Sequence, residues 1–282
     1  MKLFFNGRYY EEDRALLKAL DRGFLFGDGV FTTIKAEKGF PWFLNQHLKR
    51  LQSSCSFLGI AFPPLNFEEI ISQLLKRNQL HNARIKIILT RGWDFKNQLV
   101  NYEGGASNVV VLAFPLSLAP VRPATLYISP ETRGNESIYK HKTISYLQNL
   151  IHKTEAQRRG FDDTIILNGE KKILETATAN LFFFIRDKIV TPPAELPLLN
   201  GIIRQNLLSL GKIKSYPIIE DFLTLQELKK VEGVFITSAI FELRPVSRIE
   251  NLKFSIVRPQ SVRKEWIKIK NLFLRPELVR RS

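Results

Sequence analysis

Lys142 stands three residues ahead of Ser145, and Ser145-Tyr-Leu-Gln148 is a capping box that predicts a helix start. The positive end of a helix disfavours a nearby ammonium, so this lysine is one that can lose its proton. A neutral lysine is the nucleophile that forms a Schiff base with a carbonyl. Glu175 follows 33 positions later, in Leu-Glu-Thr-Ala-Thr-Ala-Asn. A carboxylate with apolar neighbours needs a partner, and a protonated pyridine nitrogen is one. Gly201-Ile-Ile-Arg204 opens a helix whose free N–H groups can bind phosphate. Arg50, on a helix with an apolar opposite face, suits a charge-assisted contact to the same anion. Together these parts describe a pyridoxal phosphate site. Each also has an ordinary alternative (solvated lysine, surface carboxylate, plain helix start, surface arginine), and spacing alone does not choose. Nor does it choose between Lys142 and Lys140, which on an extended backbone point to the same side.

Other chemistries find less support. His47, His81, His141 and His152 are scattered without ligand spacing, so no metal is expected. Cys55 falls on an apolar helical face, a poor place for a nucleophile. No Walker loop is present, and Gly27-Asp-Gly29 reads as a turn.

The elements that must position these residues divide into two parts. In the first, Leu3–Asn6 with Arg8–Tyr10, and Val30–Ala36 with Phe40–Trp42, read as hairpins. Leu44–Leu58 is helical, with Leu44, Leu48, Leu51 and Cys55 on one face. Phe67–Gln79 is a second helix capped by Asn66 with Glu69 in its first turn. Arg84–Thr90 and Val109–Phe114 are strands, and the polar stretch Arg91–Asn108 between them is long enough to be a functional loop. Pro115-Leu-Ser-Leu-Ala-Pro120 breaks the pattern. This gives a small α/β domain over 1–114, a linker over 115–120, and a larger α/β domain over 121–282 that contains the lysine. The second part opens with a strand at Thr125–Ser129. The helix after Ser145 ends at Gly160, with Leu147, Leu150, Ile151 and Thr154 as its buried stripe. Thr164–Leu167 and Lys171–Glu175 form a hairpin around a type I′ Asn168-Gly169 turn. Leu181–Ile185 pairs with Ile189–Thr191, Ile202–Leu210 is a helix, and Val234–Thr237 is a strand. The fold class is α/β (α+β).

The 282 residues, 44% of them hydrophobic and 24% charged, are those of an ordinary globular protein able to bury a core. No apolar run approaches the roughly 20 residues that span a bilayer. The N-terminus does not read as a signal peptide. Cys55 alone excludes an internal disulfide, and a reducing cytoplasm is the simplest compartment. The net charge of +15 raises nucleic-acid binding. The basic residues are spread along the chain, however, and no zinc-finger or RNA-binding motif accompanies them. Neither nucleic acid nor membrane is expected as a partner, and part of the charge can serve to attract an anionic cofactor or substrate.

Six segments, in order, resemble the class IV (fold type IV) pyridoxal-phosphate family of branched-chain and D-amino acid aminotransferases and aminodeoxychorismate lyase. Asp21-Arg-Gly-Phe-Leu-Phe-Gly-Asp-Gly-Val-Phe31 resembles its N-terminal signature, and His47-Leu-Lys-Arg-Leu51 the helix of the phosphate-binding arginine. Lys142-Thr-Ile-Ser-Tyr-Leu147 resembles the segment of the cofactor-bonding lysine, and Glu175-Thr-Ala-Thr-Ala-Asn-Leu-Phe182 the cofactor-nitrogen motif. Thr191-Pro192 with Asn200-Gly-Ile-Ile-Arg204 resembles the phosphate loop, and Thr237-Ser-Ala-Ile-Phe-Glu-Leu-Arg-Pro-Val246 the last cofactor segment. The resemblance implies a two-domain fold like that of D-amino acid aminotransferase, a homodimer, and a small amino substrate. It selects Lys142 over Lys140. Arg50, Tyr146, Asn180, Gly201, Ile202, Ile203, Ser238 and Ala239 become cofactor contacts beside Lys142 and Glu175. Phe26, Arg91 and Ile240 become substrate contacts, and Thr32 or Thr33 a catalytic hydroxyl.

Within the family, Phe31-Thr-Thr33, Asn200-Gly-Ile-Ile-Arg-Gln205 and Arg244-Pro-Val246 resemble aminodeoxychorismate lyase. Trp93-Asp-Phe-Lys-Asn97 lacks the Arg-x-His clamp of the D-amino acid enzymes, and the Tyr-x-Arg motif of the branched-chain enzymes is not evident. Ile203, Ala239 and Ile240 offer no hydroxyl to a phosphate, which leaves more to Arg50 and the backbone. An aminotransferase is the alternative, and a basic nucleic-acid-binding relative without catalysis a remote one.

Overall fold

A computed structural model describes residues 1–93 and 107–272. The chain packs as two units, 1–119 with 141–148, and 120–140 with 149–282. The break falls at Ala119/Pro120, inside the expected linker. The segment carrying Lys142 belongs with the first unit, whereas the sequence reading put it in the second. Most of the expected loop Arg91–Asn108, including 94–97, lies outside the described residues.

The first unit is an antiparallel sheet with helices on one face. Its strands are β1 (Lys2–Phe5), β2 (Arg8–Glu11), β3 (Gly29–Glu37), β4 (Phe40–Pro41), β5 (Ala83–Thr90) and β6 (Asn108–Pro115), ordered β2-β1-β6-β5-β3-β4. Alternation sends Val30, Ile34, Ile85, Ile87, Val109 and Val111 into a core shared with α2 (Leu44–Leu58) and α3 (Phe67–Arg77). Asn66 caps α3 by accepting from the Glu69 N–H, as the sequence predicts. A short α1 (Arg22–Phe26) precedes β3.

The second unit holds a mixed sheet of β7 (Ala124–Arg133), β8 (Asp163–Asn168), β9 (Ile173–Thr176), β10 (Asn180–Ile185), β11 (Lys188–Thr191), β12 (Lys212–Ile213), β13 (Tyr216–Glu220), β14 (Gly233–Ser238), β15 (Glu242–Ile249) and β16 (Leu252–Lys253). The order is β12-β13-β11-β10-β14-β15-β7-β8-β9, with β16 beside β15. Parallel pairs need long crossovers: α4 (Leu147–Arg158) links β7 to β8, and α5 (Ile202–Ser209) lies between β11 and β13. The last helix, α6 (Val257–Leu272), buries Val262 and Trp266.

Three local expectations change. The stripe Leu147, Leu150, Ile151 of α4 faces outward, each more than half exposed, and the helix buries His152 and Ala156 instead. Asn149 sets that rotation by donating from Nδ2 to the Ala177 carbonyl, 2.6 Å. Ser145 does not start the helix: its hydroxyl donates to the Gly27 carbonyl, and α4 begins two residues later. Finally, Asn168-Gly169 is not a two-residue type I′ turn. The Asn168 side chain accepts from the N–H groups of Glu170 and Lys172, and this wider turn puts Lys171, not the glycine, in the left-handed region (φ 60°).

Candidate active site

The N-terminal signature builds a seat for the lysine. Asp21 caps α1 through the Phe24 N–H, and Gly27 ends it at φ +68°. A Cβ on Gly27 would meet Ser145 Oγ at 2.2 Å, and one on Gly29 the Leu89 carbonyl at 2.5 Å. The two glycines therefore let the 142–145 segment lie against β3. The Phe31 N–H donates to the Lys142 carbonyl (2.8 Å) and the Ile144 N–H to the Gly29 carbonyl (3.0 Å). His141 anchors the same segment on α2: Nδ1 lies 3.1 Å from Ser54 Oγ and the ring stacks on Phe57. Lys140 ends a 3-10 turn, Ser137–Lys140, and is exposed, so the backbone is not extended through both lysines.

Lys142 Nζ sits 4.7 Å from the Phe31 ring centroid and 5.0 Å from that of Tyr146, and the two rings meet edge to face. On the opposite face of β3, the buried Thr32 Oγ1 accepts from Arg50 Nη2 (3.1 Å) and lies 2.7 Å from His47 Nδ1. Burial, then the charges of Arg50 and Lys142, hold the His47 pKa well below its ordinary value. A neutral His47 protonated at Nε2 can accept the Thr32 proton at Nδ1, which gives the row Arg50, Thr32, His47. Thr33 leaves the strand on the other side, with Phe31.

Arg91 is used differently from the substrate contact expected of it. Nε and Nη2 pair with Asp28 (2.7 and 3.1 Å), while Nη1 and Nη2 cap the end of α2 at the Gly59 and Leu58 carbonyls. Burial would raise the Asp28 carboxyl, but Arg91 and Arg22 outweigh it and hold it below the usual carboxylate range. Gly27-Asp28-Gly29 is thus more than a turn: it joins α1, α2 and the lysine segment. Phe26 is exposed over a little under half its surface, and burial pushes the Cys55 thiol up to about 12.

In the second unit, Glu175 on β9 is buried and held from three sides. Arg133 Nη1 donates to Oε1 at 2.7 Å, and Asn180 Nδ2 and the Leu199 N–H to Oε2, each at 3.2 Å. Asp163 accepts from the Thr176 and Thr178 hydroxyls, closing the Glu175-Thr-Ala-Thr turn behind it. Asn180 also donates to the Leu199 carbonyl, and a Cβ on Gly201 would meet its Oδ1 at 2.1 Å, so glycine is required where α5 begins. Buried Arg204 braces the loop through the Asn200 side chain, the Pro192 carbonyl and Glu220. Ile202 and Ile203 are buried in the first turn of α5. Ser238 accepts from the Ile240 and Phe241 N–H groups, which folds Ala239 and Ile240 into a tight turn. Behind it Glu242, in the left-handed region, accepts from Trp266 and Lys270 of α6.

These residues suit a phosphorylated pyridine. A buried carboxylate is held in place, a helix N-terminus is free of side-chain caps, and the Thr237 hydroxyl, cross-strand from Asn180, is buried without a partner. Residues 29–249 match the pattern of the family described as Amino-transferase class IV. The chain belongs to the class IV aminotransferase family. Within this class IV family, D-alanine aminotransferase of Bacillus licheniformis is 28% identical over 89% of this chain and 89% of its own. Aminodeoxychorismate lyase of Bacillus subtilis is 26% identical over 89% and 88%. Among solved structures, the branched-chain aminotransferase from the thermophilic archaeon Thermoproteus uzoniensis, with norvaline, is 25% identical, with a TM-score of 0.86 over 96% and 94%. Another branched-chain amino acid aminotransferase, from T.th., was solved with pyridoxamine 5'-phosphate and superimposes at a TM-score of 0.87 over 98% and 95% with 25% identity.

Beside the candidate residues of each unit stand others that the sequence reading did not single out. Arg133 has no local signature, because its partner is 42 positions away. His47 was legible as the residue one helical turn before Arg50. Thr237 lies inside a quoted motif, where only the missing hydroxyls of Ala239 and Ile240 drew notice.

Proposed function

We propose that this class IV protein is a pyridoxal-phosphate lyase that converts 4-amino-4-deoxychorismate to 4-aminobenzoate and pyruvate, a step of folate synthesis. The observation that carries the reading is the division between Thr32 and Thr33. The Thr32 hydroxyl is committed to Arg50 and His47, whereas Thr33 stands on the face of β3 that holds Phe31, whose ring Lys142 approaches. That is where a hydroxyl can serve a departing group.

When bound, pyridoxal phosphate supplies a ring that accepts the electrons released from the substrate carbon. Lys142 would hold the cofactor and, with its amine free, would take the proton from that carbon. Glu175, fixed by Arg133, Asn180 and the Leu199 N–H, keeps the proton on the ring nitrogen. Arg50, the first N–H groups of α5 at Ile202 and Ile203, and the Ser238–Ala239 turn take the phosphate. Tyr146 stands beside Lys142 to orient the ring oxygen. Thr33 donates a hydrogen bond to the oxygen that leaves as the enol of pyruvate.

A homodimer belongs to this reading. The outward stripe of Leu147, Leu150 and Ile151 is an apolar face that a second copy would cover. The cytoplasm is its compartment; among the described residues no helix is long and apolar enough to cross a membrane. Amino transfer to 2-oxoglutarate is the second reading, favoured by the slightly higher identity to D-alanine aminotransferase. One assay separates them. Purified enzyme is given aminodeoxychorismate, then amino acids with 2-oxoglutarate. Pyruvate with 4-aminobenzoate supports the lyase, and glutamate without pyruvate refutes it.

A further inference from the structure

Three residues on one face of α6 reach the same short stretch of chain. Arg263 Nε donates to the Leu243 carbonyl at 2.9 Å, Trp266 Nε1 to Glu242 Oε2 at 2.7 Å, and Lys270 Nζ to Glu242 Oε1 at 2.6 Å. Their spacing, three residues and then four, is that of a single helical face. Of the three lysines in α6, Lys264 and Lys268 are exposed, whereas Lys270 is buried, as are Trp266 and Glu242. A buried ion pair is a poor source of net stability, because both charges give up water to form it. Here it ties the last helix to one residue at the start of β15.

That residue stands where glycine is the ordinary choice. Glu242 has φ 62° and closes the turn after β14, with Ser238 as its cross-strand partner. A side chain in the left-handed region is strained, and glycine would relax it. Only a side chain, however, can reach α6. Inside the turn, the Ser238 hydroxyl accepts from the Ile240 and Phe241 N–H groups at 3.4 Å each, which are long bonds. The shorter bonds come from α6. We propose that α6 braces the 238–241 turn, and that Trp266 and Lys270 are positioning residues for the cofactor phosphate, acting through Glu242. The inference rests on the reading of the Ser238–Ala239 turn as part of the phosphate site.

The test uses the full chain as apoprotein in three forms: wild type, Trp266→Phe, and the double variant Glu242→Gly/Lys270→Met. The double variant strands neither charge and suits the left-handed backbone. Each is titrated with pyridoxal 5'-phosphate and with pyridoxal, which lacks the phosphate, by the absorbance of the lysine-bound cofactor. The wild type should bind the phosphorylated form about tenfold or more tightly than pyridoxal. The double variant should weaken the phosphorylated form about tenfold and Trp266→Phe about fivefold, with pyridoxal held within about twofold. Amide hydrogen exchange over 238–243 should quicken in both variants without cofactor. If the double variant does not fold, Trp266→Phe decides on the same readings. Unchanged exchange, an unchanged preference for the phosphorylated form, or equal weakening of both ligands overturns the brace alone. A wild type that binds both ligands equally overturns the phosphate reading of the turn. Absence of the band from the wild type overturns the cofactor reading. Either of these last two takes this inference with it.

Discussion

Arg50 on α2 and Thr32 on β3 are joined by a 3.1 Å hydrogen bond from Nη2 to Oγ1, and His47 Nδ1 takes the other side of the same hydroxyl. A strand threonine therefore aims the arginine of a helix. Thr32→Val keeps the shape and removes the acceptor. Net hydrogen bonds of this kind are worth about 1 kcal/mol, so pyridoxal phosphate should bind about fivefold more weakly, with turnover at saturating cofactor little changed. Thr33→Val should do the reverse, lowering turnover and leaving cofactor affinity intact. Titration of apoenzyme with cofactor, followed by kinetics, tells them apart. Identical phenotypes would remove the distinction on which the lyase reading rests.

Lys142 and Lys140 differ in setting, not only in register. Lys142 is fixed by the Phe31 N–H and lies over two rings, whereas Lys140 is exposed at the end of a short turn. Lys142→Ala should abolish the band of lysine-bound cofactor, and Lys140→Ala should leave it. Borohydride labelling followed by peptide mapping gives a second readout, and a label at Lys140 would reverse the assignment.

What the sequence made legible follows from the range of the interactions. Helices α2 and α3, the strands of the first sheet and β7, β8, β9, β10, β11 and β14 of the second rest on local periodicity and caps, and Leu44–Leu58 matches residue for residue, whereas β12, β13, β15 and β16 were not expected. The lysine, glutamate and phosphate-loop motifs sit in continuous segments, so they too could be found. The failures are long-range. Nothing near Leu147 says that Asn149 will bond Ala177 and turn the apolar stripe outward. Nothing near Arg91 says that Asp28, 63 positions away, will claim it.

Arg133 and Glu175 form a buried ion pair at 2.7 Å. Removing one partner of such a pair costs about 3–5 kcal/mol, because the other charge stays buried and unpaired. Arg133→Met should lower the unfolding midpoint. It should also slow turnover while the lysine-bound cofactor band persists, because Glu175 then holds the ring nitrogen less firmly. Glu175→Gln should likewise retain cofactor and slow proton removal. If Arg133→Met lowers stability alone and kcat is unchanged, the arginine is structural and has no part in positioning the carboxylate.

His47 gives the pH signature. Burial, with Arg50 and Lys142 nearby, lowers its folded-state pKa well below 6.5. Above the unfolded value both states are neutral, and the contribution to stability is constant. As pH falls through about 6.5, the unfolded chain takes up a proton that the fold refuses. Stability then declines with a limiting slope of about 1.4 kcal/mol per pH unit from this residue, until the folded imidazole is itself protonated. His152, also lowered by burial, has the same sign. Asp28 and Glu220, held low by their arginines against burial, add losses only at more acidic pH, as each is protonated in the fold. Denaturant unfolding of wild type and His47→Gln between pH 5 and 8 isolates the histidine contribution. The variant should be less stable at pH 8, because glutamine does not reproduce the imidazole contact with Thr32, and its curve should be flatter below pH 6.5. Parallel curves would mean that His47 is protonated equally in both states, and the ordered row from Arg50 through Thr32 to a neutral His47 could not stand.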